Sequence, residues 1–218
     1  MVISIYQYSW FLFAFALQKQ FNWLLPTIGM TFTVFTYAAT FIQPFSGFIA
    51  DSYGPRKVAV AASALVSIGL LLSATASSPF ILYVYYGIGG IGVGILYGIS
   101  TACAVKWFPE RPGFATGLVV FGFGAGTALF NLFIQSLIDS RGLQATFIYL
   151  GILMLVVLIP LSFFYQYPQK PPSIGKDVRN LNVTKKTDYR PSEMIKTYQW
   201  YLIYFSFTFT VSIVLIFG

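Results

Sequence analysis

The chain has 218 residues, of which 57% are hydrophobic and 9% charged, and its mean hydropathy is +0.74. A soluble domain of this length cannot build a polar surface from so few charges, so the composition selects a polytopic membrane protein. The net charge of +7 does not indicate nucleic acid, because the lysines and arginines lie in short loops beside apolar runs rather than on one soluble face.

A requirement of about 20 apolar residues per crossing predicts spans over residues 2–17, 28–50, 58–76, 79–105, 113–138, 145–166 and 199–218. Span 1 holds the adjacent polar pair Gln7 and Tyr8, and a buried amide there must either bond a neighbouring helix or face a wet cavity. At 1.5 Å per residue it reaches about 25 Å, short of a core of about 30 Å. Met1 therefore reads as a displaced start. Span 2 contains Gln43 ahead of Pro44, an amide placed to repair the proline-disrupted backbone. It runs into Gly47-Phe-Ile-Ala-Asp51-Ser-Tyr-Gly54-Pro-Arg56-Lys57, where Gly54 and Pro55 supply a sharp reversal at the membrane surface.

Spans 3 and 4 form one uncharged stretch, divided at Ser77-Ser78-Pro79 because it is too long for a single crossing. Span 4 repeats glycine every fourth residue at Gly90, Gly94 and Gly98, and span 5 does so at Gly113 and Gly117 and again at Gly122 and Gly126. Small residues at this spacing line one stripe of a helix and let backbones approach, for packing or for sliding. Tyr97 in span 4 reads as cavity lining or ordinary helix contact, and Asn131 with Gln135 in span 5 as packing polar groups or cavity lining. After span 6 comes the only long polar stretch, opened by Pro168, Pro171 and Pro172 and mixed in charge, which reads as a solvated tether.

The loops after spans 1, 3 and 5 carry only Lys19 and Arg141, whereas those after spans 2, 4 and 6 carry the other lysines and arginines. The positive-inside rule places the second set, the N-terminus and the tether in the cytoplasm. The six carboxylates, Asp51, Glu110, Asp139, Asp177, Asp188 and Glu193, fall at helix ends or in loops, and there is no histidine. A proton relay through these spans is disfavoured. No metal-ligand set, cofactor motif or nucleophile with a base is legible, Cys103 having no histidine partner, so catalysis is not expected.

The run from Gly47 to Lys57 resembles the signature between helices 2 and 3 of the major facilitator superfamily. A second set, Tyr86 to Gly98 with its glycines, then Lys106-Trp107-Phe108-Pro109-Glu110-Arg111 and the glycines from Gly113 to Gly126, is similar to the oxalate/formate antiporter family, whose members move small carboxylates. Gln7-Tyr8-Ser9-Trp10 and Phe21-Asn22-Trp23 extend the likeness into span 1 and its outer loop. The resemblance implies an all-α membrane fold: a six-helix N-terminal bundle over residues 1–166, a cytoplasmic linker over 167–198, and a seventh helix over 199–218 opening a C-terminal half that is the bundle's partner. It implies a secondary transporter of small organic anions, working by alternating access in the cell membrane, with the chain as a fragment. Gln7, Tyr8, Tyr97 and Phe123 match cavity-lining positions, Phe123 standing where the family often has tyrosine. Gly47, Asp51, Gly54, Arg56 and Lys57 match the signature that governs conformational balance, Asp51 latching the two halves. The cations that pair with dicarboxylate in the family lie in the second half. The competing expectation is a short membrane protein serving as a binding or assembly partner, with a homodimer of six-helix bundles as one route.

Overall fold

The computed structural model describes residues 2–168, 196–202, 204–206 and 209. Two compact units divide after Gln169. In the first, a 3₁₀ turn over Val2–Ser4 leads into α1 (Ile5–Tyr8) and α2 (Trp10–Phe21), followed by α3 (Leu25–Tyr53), α4 (Pro55–Ser73), α5 (Pro79–Trp107) and α6 (Pro112–Ser162). No strand occurs among the described residues. In the second unit residues 198–202 and 204–206 are helical, with the Trp200 ring stacked 5.1 Å from that of Tyr204. Residues 169–195 of the expected 167–198 tether and most of the seventh span lie outside the described residues.

Proline opens each of α3 to α6 within the first two positions, where its missing N–H is no loss and its φ is already helical. Gly54, at φ 89°, makes the predicted reversal between α3 and α4, a backbone region that glycine enters without steric cost. Ser78 caps α5 by accepting the Ile81 N–H at 3.4 Å, so the long uncharged stretch divides at the serine-proline turn. Gly142, at φ 79° and ψ 169°, breaks α6 into arms over 112–141 and 143–162, which correspond to spans 5 and 6.

Four helices, α3, α4, α5 and α6, are long and apolar enough to cross a membrane, and the break at Gly142 makes two such arms of α6. Span 1 is not the uninterrupted helix expected. It breaks at Ser9, whose φ of −93° and ψ of 3° leave the helical region, and it then continues to Phe21. Asn22 closes it in the left-handed conformation with its N–H on the Gln18 carbonyl.

The core sits around α5. One side of α5 packs along α3: a Cβ at Gly90 would come within 2.8 Å of the Phe35 carbonyl, and one at Gly94 or Gly98 would meet Ala39 or the Ser46 hydroxyl. On α4's side, a Cβ at Gly92 would fall 2.6 Å from the Ala62 carbonyl. The second arm of α6 closes on α4, with Gly151 against Leu71 and the buried hydroxyls of Ser63 and Ser162 bonded at 2.7 Å. Hydroxyl pairs of this kind satisfy buried polar groups where no water is present. The first pair of the second glycine run behaves differently. Nothing lies within 4 Å of a Cβ built at Gly113 or Gly117, so the close helix contact expected there is not made among the described residues. At Pro44 the side-chain bond is that of Ser46, whose hydroxyl donates to the Gln43 carbonyl at 2.6 Å; Gln43 itself lines a groove between α3 and α5.

Candidate functional site

Tyr6 and Tyr8 leave α1 on nearly opposite sides, since two residues turn a helix by roughly 200°. Tyr6 is fully buried; its hydroxyl donates to the Val66 carbonyl at 2.7 Å, and Tyr86 donates to the Tyr6 carbonyl at 2.8 Å. The Tyr6 ring occupies the space that a Cβ at Gly89 would take. This pin fixes α1, and Tyr8 projects from its far side.

There Tyr8 meets Phe123 of the first α6 arm, ring centroids 5.6 Å apart, and Phe123 meets Tyr97 of α5 at 5.2 Å. Both contacts are edge-on, at 67° and 77°, the geometry aromatic quadrupoles favour. Phe123 is buried at the centre of the trio, Tyr97 is half-buried and Tyr8 is 46% exposed. Gln7 is half-buried one residue before Tyr8. Three of the residues singled out in the sequence therefore come together from three separate helices, with the fourth adjacent in the chain. The break at Ser9 lies directly after them. Its buried hydroxyl donates to Asn131 Oδ1 at 2.6 Å, tying the interruption to the first α6 arm. Ser9 lay within a quoted motif without being singled out; its role depends on the helix break, which residue type does not announce.

Chemically, the trio offers two phenol hydroxyls and the faces and edges of three rings, and it holds no charge. Such a surface can donate hydrogen bonds to a carboxylate and cover its apolar parts, while full neutralisation requires a cation from elsewhere. Among the described residues there is no cluster of metal-ligating side chains.

A second constellation occupies the end of the bundle where α3 meets α4. Asp51, in the last turn of α3, forms an ion pair with Lys106 of α5 at 2.6 Å, both side chains being about half exposed. Arg56 and Lys57 are exposed and form no ion pair among the described residues. Lys106 also stands 3.6 Å above the Tyr167 ring, within cation–π range. The stretch after α6 is strapped across the end of α5 by two more bonds: Trp107 Nε1 donates to the Gln166 carbonyl at 2.9 Å, and Tyr165 shares a 2.6 Å hydrogen bond with Ser100. The Tyr167 hydroxyl is buried and interacts with the Asp51 carboxylate. Burial pushes this phenol well up, and the Asp51 carboxylate adds to the effect, so the ring faces Lys106 in its neutral form. Asp51 thus has a partner within this chain. Gly47 is half-buried on α3, and nothing lies within 4 Å of a Cβ built there.

The Major Facilitator Superfamily model matches residues 1–218. An oxalate:formate antiporter of Oxalobacter formigenes is 31% identical over 206 residues, covering 94% of this chain and 48% of that protein. An uncharacterized 38 kDa protein in the 23S RNA operon of Thermoproteus tenax is 39% identical over 166 residues, covering 76% of this chain and 44% of the relative. Monocarboxylate transporter 9 of Gallus gallus is 32% identical over 117 residues, 53% of this chain and 23% of that protein. The chain thus spans less than half the length of each of these relatives. Family and transporter-named relatives point to a transporter rather than an enzyme, and with the apolar helices they make this a multi-pass membrane protein.

Proposed function

Because this chain belongs to the Major Facilitator Superfamily, we propose that it supplies the N-terminal part of a secondary transporter of small organic anions, of the size and charge of oxalate, formate or a monocarboxylate. The observation that carries this reading is the Tyr8, Phe123 and Tyr97 cluster beside the break at Ser9. Discontinuous membrane helices commonly mark transporter substrate sites, and an uncharged phenol-rich wall suits a carboxylate whose charge is met from the opposite half. The relatives named for oxalate:formate exchange and monocarboxylate transport favour the same substrate class.

In this reading residues 1–166 form the N-terminal bundle, 167–198 the cytoplasmic linker and 199–218 the start of a partner half. The N-terminus lies in the cytoplasm, as the distribution of lysine and arginine favours. Transport proceeds by alternating access, the bundle rocking against its partner half around the aromatic cluster. Asp51 and its neighbours Gly47, Gly54, Arg56 and Lys57 set the balance of inward and outward states and leave substrate choice to the cluster.

The test is exchange of radiolabelled oxalate, formate and lactate by the natural full-length protein in proteoliposomes, beside its Tyr97→Phe variant. Loss of a hydrogen bond to a charged ligand costs about 1.5 to 3 kcal/mol, so KM should rise roughly tenfold or more. A folded wild type that moves none of these anions, or a Tyr97→Phe variant with unchanged KM for all of them, would overturn the assignment.

A further inference from the structure

The end of the bundle away from the Gly54 turn holds a cavity of about 550 Å³ that the aromatic cluster does not use. Its polar walls are Lys19 and Gln20, from the last turns of α2, and Gln135 and Asp139, from the end of the first α6 arm; Gly142 closes it at the reversal. The two charges are held differently. Gln135 Nε2 donates to both Asp139 oxygens, at 3.0 and 3.1 Å, one turn along the same helix. Lys19 is exposed and makes no ion pair among the described residues. The cavity therefore shows an exposed cation without an ion pair among the described residues, opposite a carboxylate whose oxygens already accept hydrogen bonds.

We propose that this cavity is a capture site for small carboxylates at the outer mouth of the transporter, a deeper reading that rests on the substrate class proposed above. Lys19 supplies the attraction, and the Gln20 amide supplies a donor for the carboxylate once it is within reach. Asp139 keeps the site weak. Net attraction from one ammonium without an opposing carboxylate would hold an anion at the mouth, whereas passage needs entry that is favourable and exit that is easy. Lys19 and Asp139 should accordingly affect transport with opposite sign, and only from the side that this cavity faces.

The experiment measures KM separately from each face, in oriented proteoliposomes of the natural full-length protein, for Lys19→Gln, Lys19→Arg and Asp139→Asn. Removing one charge that acts across a few ångströms of water should raise KM roughly fivefold for Lys19→Gln, from the cavity side alone and with kcat unchanged. The rise should shrink in about 0.5 M salt, where the Debye length falls well below 10 Å. Lys19→Arg should stay near wild type, and Asp139→Asn should lower KM on the same side. An equal change from both faces would place Lys19's effect on the central site or on folding and overturn the capture site. So would an unchanged KM for Lys19→Gln, or a raised one for Asp139→Asn. A wild type that moves no carboxylate removes the substrate reading first, and this inference with it; the wild-type trace alone distinguishes that outcome.

Discussion

A phenol buried to zero exposure inside a bundle has to spend its hydroxyl, because an unpaired polar group there costs several kcal/mol. Tyr6 spends it on the Val66 carbonyl at 2.7 Å, and the ring reaches that carbonyl only because Gly69 and Gly89 have no side chains in the way. Gly89→Ala should therefore cost about 1 to 3 kcal/mol through overpacking. Gly113→Ala, with open space around it, should be neutral or stabilising by up to about 1 kcal/mol. Thermal unfolding of the two purified variants in one detergent checks the contrast; equal losses would mean that Tyr6 yields easily. Gly113 stood in the sequence within a four-residue stripe and Gly89 directly before another, and nothing in the spacing separated crowded positions from open ones. What separates them is the neighbour: α3, α4 and Tyr6 crowd the α5 glycines, and nothing described approaches the α6 pair.

Along whole elements, the pair between Asp51 and Lys106 joins the ends of α3 and α5 while the residues after α6 are strapped over α5 by Trp107, Tyr165 and Tyr167. Half-exposed ion pairs contribute little, about 0 to 1 kcal/mol. Lys106→Gln should accordingly leave the melting temperature within a few degrees of wild type. Its effect should appear in the conformational balance, since it frees Asp51 and removes the cation from the Tyr167 ring at once. Site-directed spectroscopic distances across the Gly54 end of the bundle would read this shift, and an unaltered distance distribution would confine the pair to packing. Asp51 was legible as a special acid from the glycines and bases around it. Its partner was not, because 55 residues of chain separate the two, and only the register of α5 against α3 decides which basic residue arrives. Span 1 shows the same division: its apolar run marked a crossing, but the interruption at Ser9 depends on Tyr6 being pinned on one side and Asn131 receiving Ser9 on the other.

For the molecule as a membrane protein, the lysine and arginine distribution makes an orientation testable. Cysteines placed singly at Arg111 and at Gln20, in a background lacking Cys103, should react with an impermeant maleimide from opposite faces of intact cells: Arg111→Cys after permeabilisation only, Gln20→Cys without it. The reverse pattern would invert the topology and move the capture cavity to the cytoplasmic side.

Hydropathy, the turn residues at Gly54 and Ser78-Pro79, and the placement of charge determined from the sequence alone that this chain is a helical membrane protein and where most of its reversals fall. These are local properties, set by the cost of burying charge and backbone in lipid. The structure alone decided that Tyr8, Phe123 and Tyr97 meet, that Lys106 answers Asp51, and that Gly90, Gly94 and Gly98 are packed while Gly113 and Gly117 stand open. Those outcomes depend on helix rotation and on which faces cross, and a hydrophobic run long enough to span carries little information about its own rotation.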